Sequence, residues 1–415
     1  MLKIMFSIFV LVSLTAFAHS IPDYCSRNDV FKLSLPIYPD KNSSSQFEYR
    51  YQFIGTDSSQ PVVIYLPGGP GITSMSGLPK GPYQPLPPSL INVVYTDQRG
   101  VGCNNGDFNN GPTDVFSSQY FAEDVLAMIK DLGAKGFKKY ILYGHSFGTL
   151  HATKTAYLIQ QRRKAGDQIE LPLAVVLEGT IGRAYQKGEA LAEYETQWLN
   201  VKSFLSPEVQ EKLSSHALPF FASTENWGYF IMQLLYLGRI PKSAGIPDLN
   251  AKLELLSLPN NDPRLASLKE QISNSNFEGF APSFITITCH EFAEDFFARP
   301  LLLTGHFSTD GNLCNDSELI SKFDSADYQL EVPIIYFQGT NDAATSMKQA
   351  QYHYKFQTHT PKKSFVNVSE AGHISFQFSL FSCKEKLWNT ILTNQELTSN
   401  DLKSCIWDWP VQVTH

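Results

Sequence analysis

Tyr140-Ile141-Leu142-Tyr143-Gly144-His145-Ser146-Phe147-Gly148 is the stretch on which the reading of the chain turns. Its first four residues form a short apolar run, and strands apolar on both faces belong to a parallel sheet clad by helices. Gly144 and Gly148 then flank Ser146 in the G-x-S-x-G spacing. A sharp strand-to-helix turn needs small residues on either side of the serine, and it lifts the hydroxyl above the sheet edge. The spacing therefore predicts a strand, a tight turn carrying a candidate nucleophile, and a helix.

The same alternation extends outward. Apolar, β-rich runs punctuated by Gly and Pro recur at Phe47 to Phe53, Val62 to Leu66, Ile91 to Tyr95 and Leu173 to Leu177. Between two of them, Phe121, Val125, Leu126, Ile129 and Leu132 recur at helical spacing over Tyr120 to Leu132. Strand, helix, strand is the repeat of an α/β fold. The pattern stops from about Arg183 to Tyr328, where aromatic-rich helix and loop sequence offers no strand series, and it returns at Val332 to Phe337 and Ser364 to Val368. The expected organisation is a sheet-forming first part over 21–182, a helical lid over 183–328, and a second sheet-forming part over 329–415 with a tied-back tail.

Composition agrees with a large folded core. The 415 residues are 43% hydrophobic and 18% charged, too apolar for disorder. A net charge of -7 gives no bulk attraction to phosphate backbones, which argues against a nucleic-acid partner. Residues 1–20 read as an export signal: Lys3, an apolar run from Ile4 to Leu14, and the small-residue pattern Ala16, Phe17, Ala18. The run is short for a membrane span, so a secreted or periplasmic protein without a membrane anchor is expected. All six cysteines lie beyond that segment, and an even count in an exported chain points to disulfides. Six cysteines permit 15 pairings. Closeness along the chain favours Cys383 with Cys405 and Cys289 with Cys314, which leaves Cys25 with Cys103.

A serine hydroxyl becomes a useful nucleophile when an oriented base takes its proton. Asp342 follows the strand ending near Gln338, and His373 follows the next strand with Gly372 beside it. The order Ser146, Asp342, His373 fits the known order of one serine-hydrolase class; Asp324 and Asp327 are the fallback acids. Leu66-Pro67-Gly68-Gly69-Pro70-Gly71 follows another strand, and its glycines allow backbone N–H groups to converge on an oxyanion. The expected donors are the N–H groups of Phe147 and Gly69, with Gly68 as an alternative.

Three motifs together carry a resemblance: Gly68-Gly69-Pro70-Gly71, Asp97-Gln98-Arg99-Gly100-Val101-Gly102, and Gly144-His145-Ser146-Phe147-Gly148. The chain resembles the prolyl iminopeptidase and tripeptidyl aminopeptidase family of serine peptidases from roughly Phe47 to His373. Its C-terminal cysteine pair is similar to the ending of the secreted tripeptidyl branch. Pro67 stands where cytoplasmic prolyl iminopeptidases usually have His, and Cys103-Asn104 replaces the usual end of the second motif. The resemblance implies an α/β-hydrolase fold, with a mostly parallel central sheet flanked by helices and the lid inserted between two strands. It also implies an exopeptidase that acts on a peptide with a free N-terminus and requires no cofactor.

Such an enzyme holds the substrate's ammonium group, and a carboxylate in the lid is the physical device for it. Glu291 and Glu178 are the leading candidates, the first favoured by a similar Cys-x-acid motif in the secreted branch. Glu193, Glu195, Glu294 and Asp295 are further acids of the lid. His290-Glu291 does not make a zinc-peptidase helix, because Glu294 occupies the place of the second His. Asp97 and Arg99 read as loop braces. A carboxylesterase with the same machinery is the alternative reading, and a catalytically silent binding protein a weaker one.

Overall fold

The computed structural model describes residues 22–41, 44–76, 92–105, 113–203, 205–214, 287–295, 321–376, 383–402 and 411–414, with a few shorter pieces between them. The export signal expected over residues 1–20 lies outside the described residues.

Nine strands form one sheet: β1 (Val30–Pro36), β2 (Gln46–Ile54), β3 (Val62–Leu66), β4 (Val93–Thr96), β5 (Tyr140–His145), β6 (Val175–Glu178), β9 (Ile334–Gly339), β10 (Lys363–Val368) and β11 (Val411–Thr414). Their spatial order is β1-β2-β4-β3-β5-β6-β9-β10-β11. Pairing is parallel from β4 through β10, and β1, β2 and β11 run antiparallel to their neighbours. β7 (Leu301–Leu303) and β8 (His306–Ser308) make a separate antiparallel hairpin.

The apolar runs become central strands because both faces of the sheet are covered. Val62, Ile64 and Leu66 of β3 enter one core with α1 (Ser118–Ala134) and α2 (Phe147–Lys164), whereas Val63 and Tyr65 enter another. This second layer contains Leu387, Trp388 and Ile391. These three belong to a helix near the C-terminus, Lys384–Leu392, here α6; α5 is Met347–Phe356. Successive side chains of a strand point to opposite faces, so an uninterrupted apolar run serves both layers. α1 starts where the Ser117 hydroxyl accepts the Tyr120 N–H at 3.3 Å, and its Phe121, Val125, Leu126, Ile129 and Leu132 are buried. Arg162, Arg163 and Lys164 lie in the last turn of α2, where cations complement the helix dipole.

The expected strands are present with ends shifted by a few residues, and β1 and β11 add to them. β1 has no fully buried residue and alternates between half-buried and exposed positions, so it lacks the continuous apolar signature of the inner strands. The hairpin β7–β8 departs from the strand-free reading of 183–328; at three residues each, its strands are too short to show a period. Between β6 and β9 the described residues also form α3 (Glu189–Ser203) and α4 (Pro207–Ser214). Most of the expected lid lies outside the described residues. Disulfides join Cys25 to Cys103 and Cys289 to Cys314. Cys383 is also disulfide-bonded, and Cys405 lies outside the described residues.

Candidate active site

The C-terminal ends of β3, β5, β6, β9 and β10 meet at one edge of the sheet. Ser146 stands between β5 and α2 with φ 56° and ψ −125°, a left-handed conformation that side-chain-bearing residues rarely adopt. The flanking glycines permit it. A Cβ on Gly144 would lie 2.3 Å from the Gly148 carbonyl oxygen, and one on Gly148 would lie 2.0 Å from the Leu66 carbonyl oxygen. The first turn of α2 thus packs against the end of β3 as closely as backbone allows, and the loop that follows β3 reaches the serine. A Cβ on Gly68 would stand 2.8 Å from the Ser146 Cβ, and Gly69 has φ 119°. Gly68 is therefore adjacent to the candidate nucleophile, Gly69 follows it in the loop, and Phe147 is the first residue of α2.

Asp342 follows β9 and is fully buried. Oδ1 accepts the N–H groups of Ala344 and Thr345, both at 2.9 Å, and Oδ2 accepts Gln338 Nε2 and Thr345 Oγ1, both at 3.0 Å. His373 Nδ1 lies 3.0 and 2.9 Å from the two carboxylate oxygens. A carboxylate on Nδ1 fixes the proton there and leaves Nε2 as the basic nitrogen. The pair reaches the serine through β6. The Glu178 carbonyl accepts the Ser146 N–H at 2.8 Å, and a Cβ on the next residue, Gly179, would lie 2.7 Å from His373 Cε1. The His145 and His373 rings stand 5.0 Å apart. Burial, followed by the proximity of His373, holds the His145 imidazole well below its ordinary value.

Asp324 and Asp327 lie elsewhere: Asp324 accepts the Ala326 N–H and the Tyr352 hydroxyl, both at 2.9 Å, and Asp327 belongs to the same short turn. Asp97 accepts the N–H groups of Ser74, Met75 and Cys103, bracing the loop beyond Gly71. Arg99 clasps Asp124 through Nε and Nη2 at 2.6 and 2.7 Å. Gln98, between them, accepts the Gly71 N–H at 3.2 Å, a contribution to the loop that its place in the motif alone does not single out.

The leading acids for an ammonium group are committed to protein donors. Glu291 is buried and accepts the Ser118 N–H at 2.8 Å, the Ser118 hydroxyl, and Lys154 Nζ at 3.1 Å. Glu178 is buried and accepts the Phe376 N–H at 2.7 Å and the Tyr143 hydroxyl. Lys384 lies near enough for Glu178 to counter part of the effect of burial, which lowers the ammonium to about 8. A carboxylate enclosed in this way presents no open face to a substrate amine.

Among the other acids, Glu193 pairs with Lys348 at 2.7 Å. Glu294 accepts the Lys187 N–H at 3.1 Å. Asp295 is 3% exposed: Oδ2 accepts the Gly188 N–H at 2.7 Å, and Oδ1 is buried without a hydrogen-bond partner among the described residues.

No protein-family model and no curated protein matches the sequence. Among solved structures the chain is similar to VinJ, at 17% identity and a TM-score of 0.47, over 88% of this chain and 98% of that one. It is also similar to the proline iminopeptidase of Mycobacterium smegmatis, at 14% identity and 0.41, over 90% and 100% of the two chains. A third is the 2-hydroxy-6-oxo-6-phenylhexa-2,4-dienoate hydrolase of Rhodococcus sp. strain RHA1, at 15% and 0.44, over 87% and 98%. The strand order, the strained serine between β5 and α2, and the acid and imidazole after β9 and β10 together define an α/β-hydrolase fold.

Proposed function

We propose that the protein is an exported serine hydrolase that acts as an aminopeptidase. The observation that carries the hydrolase reading is the His373–Asp342 contact at the sheet edge that also holds Ser146 in its strained turn. Ser146 Oγ attacks the scissile carbonyl while His373 Nε2 takes its proton, and Asp342 orients the resulting imidazolium. The N–H groups of Phe147 and Gly69 receive the oxyanion. His373 returns the proton to the leaving amine, then deprotonates the water that frees the acyl group and regenerates Ser146.

The peptide-end reading rests on the three-motif resemblance and on Asp295. Its Oδ1, without a hydrogen-bond partner among the described residues, belongs to the residue after Glu294, whose N–H bonds the Tyr185 carbonyl at 3.1 Å. The Tyr185 hydroxyl in turn contacts the Ala344 carbonyl and the Ser346 N–H near Asp342. In this proposal Asp295 receives the substrate ammonium, and the chain over 183–328 covers the site as a lid. Export fits the disulfides, and among the described residues no helix is long and apolar enough to cross a membrane.

An esterase reading is favoured by one specific observation: Glu291 and Glu178 are occupied by protein donors. The test is turnover of chromogenic peptide anilides, including Pro, Ala and tripeptide forms, each with a free or acetylated N-terminus, beside a short-chain ester. Cleavage confined to the free-amine set, weakened by Asp295→Asn, supports the aminopeptidase. Ester turnover with every anilide untouched refutes it.

A further inference from the structure

Glu178 lies under the catalytic edge as a buried carboxyl group that the proposed chemistry does not use. Its backbone carbonyl holds the Ser146 N–H at 2.8 Å. Its Oε1 holds the N–H of Phe376, three residues after His373, at 2.7 Å. Its Oε2 accepts the Tyr143 hydroxyl, which comes from the strand leading into Ser146. The next residue, Gly179, abuts the imidazole: a Cβ there would fall 2.7 Å from His373 Cε1 and 2.9 Å from Nδ1. One residue pair thus touches the serine turn by its backbone and the histidine loop by its side chain and its neighbour.

A buried carboxyl group is costly unless hydrogen-bonded, and here its donors come from outside β6, the Tyr143 hydroxyl of β5 and the Phe376 N–H beyond His373. Lys384 is 3% exposed and begins α6, just after disulfide-bonded Cys383. Phe376, which Glu178 grips, stacks face to face with Phe337 of β9 at 4.0 Å and lies 5.5 Å from Trp388 of α6. The His373 loop is consequently held on one side by Asp342 and on the other by Glu178, with α6 packed behind.

We infer that Glu178 is a positioning residue that sets the distance between Ser146 and His373 by gripping the Phe376 N–H. The inference rests on the serine-hydrolase reading above. The clamp acts through the acceptor at Oε1, which takes the Phe376 N–H at 2.7 Å. Removing both charges while keeping the acceptor should therefore spare the chemistry. Removing the acceptor should not.

The experiment compares E178Q/K384M, which is neutral and keeps an oxygen for Phe376, with E178L/K384M, which is neutral and has none. Two readouts are taken on the purified full chain: the rate of Ser146 labelling by a fluorophosphonate, and the low-field proton resonance of the His373–Asp342 hydrogen bond. We expect E178Q/K384M to label within about threefold of the parent with the resonance in place, since a neutral acceptor still serves the N–H. E178L/K384M is expected to label on the order of 100-fold more slowly, the scale of a small misplacement of catalytic groups, with the resonance shifted or lost. If E178L/K384M does not unfold cooperatively, E178D takes its place, because it shortens the reach to Phe376 by one methylene while keeping the charge. Equal labelling by the compared variants, with an unchanged resonance, overturns the inference. A parent protein that is not labelled at Ser146 overturns the hydrolase reading and this inference together, whereas a labelled parent with indifferent variants overturns this one alone.

Discussion

Replacing Glu291 by Gln separates two uses of a buried carboxylate. Its partner Lys154 has a side chain only 1% exposed, and Glu291 itself is 2% exposed, with Nζ and Oε2 3.1 Å apart. Gln keeps an oxygen for the Ser118 N–H but leaves the Lys154 ammonium buried without its counter-charge. Breaking such a pair typically costs 3–5 kcal/mol. The Phe323 and Tyr328 rings, 5.9 and 5.6 Å from Nζ, already face the ammonium in the parent protein and so offset none of this, and a loss of about 3 kcal/mol or more is expected. The double variant K154M/E291Q removes both charges and should regain roughly 2 kcal/mol of that loss. Urea unfolding followed by tryptophan fluorescence, with disulfides intact, measures all four corners of the cycle. A single-variant loss below about 1 kcal/mol, accompanied by a selective fall in turnover of free-amine peptides, would show that Glu291 serves the substrate and that the bracing argument is wrong.

Three further outcomes follow from the geometry. Ser146→Ala should abolish turnover and fluorophosphonate labelling, and Asp342→Asn should lower kcat by about 10⁴ through loss of the correct imidazole tautomer; residual labelling of Ser146→Ala at the parent rate contradicts the assignment. Gly148→Ala forces a methyl to within 2.0 Å of the Leu66 carbonyl oxygen, so it should lower stability by about 3 kcal/mol or more, read as a fall in Tm. Burial holds His145 and His151 well below the ordinary 6.5 and lowers His353 to about 3. The unfolded chain then binds protons that the folded one refuses, so stability present above pH 6.5 is lost as pH falls from there toward 3, by up to about 1.4 kcal/mol per unit for each group. Burial also raises Asp97, and Asp124 to about 6, which offsets part of the loss below that pH. A flat urea midpoint between pH 7 and 5 would contradict the histidine contribution.

The inner sheet was legible because burial on both faces writes itself into sequence as unbroken apolar runs, as in Val62–Leu66. Ser146 was legible because its turn demands glycine at two fixed offsets. Asp342 and His373 could be placed because each follows a recognisable strand, and the structure brings them within hydrogen-bonding distance. The acids between and beneath these motifs were harder. What a carboxylate does depends on its partner, and the partners of Glu291 stand 137 and 173 residues away, that of Glu178 at Phe376 198 residues away. No local pattern encodes such distances. β1 stayed hidden for a different reason: an edge strand that buries nothing fully leaves no continuous apolar trace.

The bond between Cys25 and Cys103 has a consequence for how the molecule ages. Both residues are about 1% exposed or less, so a thiol in solution has no path to either sulfur while the surroundings remain closed. Around it, Arg27 holds the Met75 carbonyl at 2.9 Å, and the Cys103 N–H holds Asp97, which braces the Ser74 and Met75 amides. Reduction must therefore wait for this corner to open, and its rate counts openings rather than collisions with reductant. The resistance of this cystine to a mild thiol becomes a clock for the corner that carries the glycine loop, readable on a mass spectrometer without any substrate.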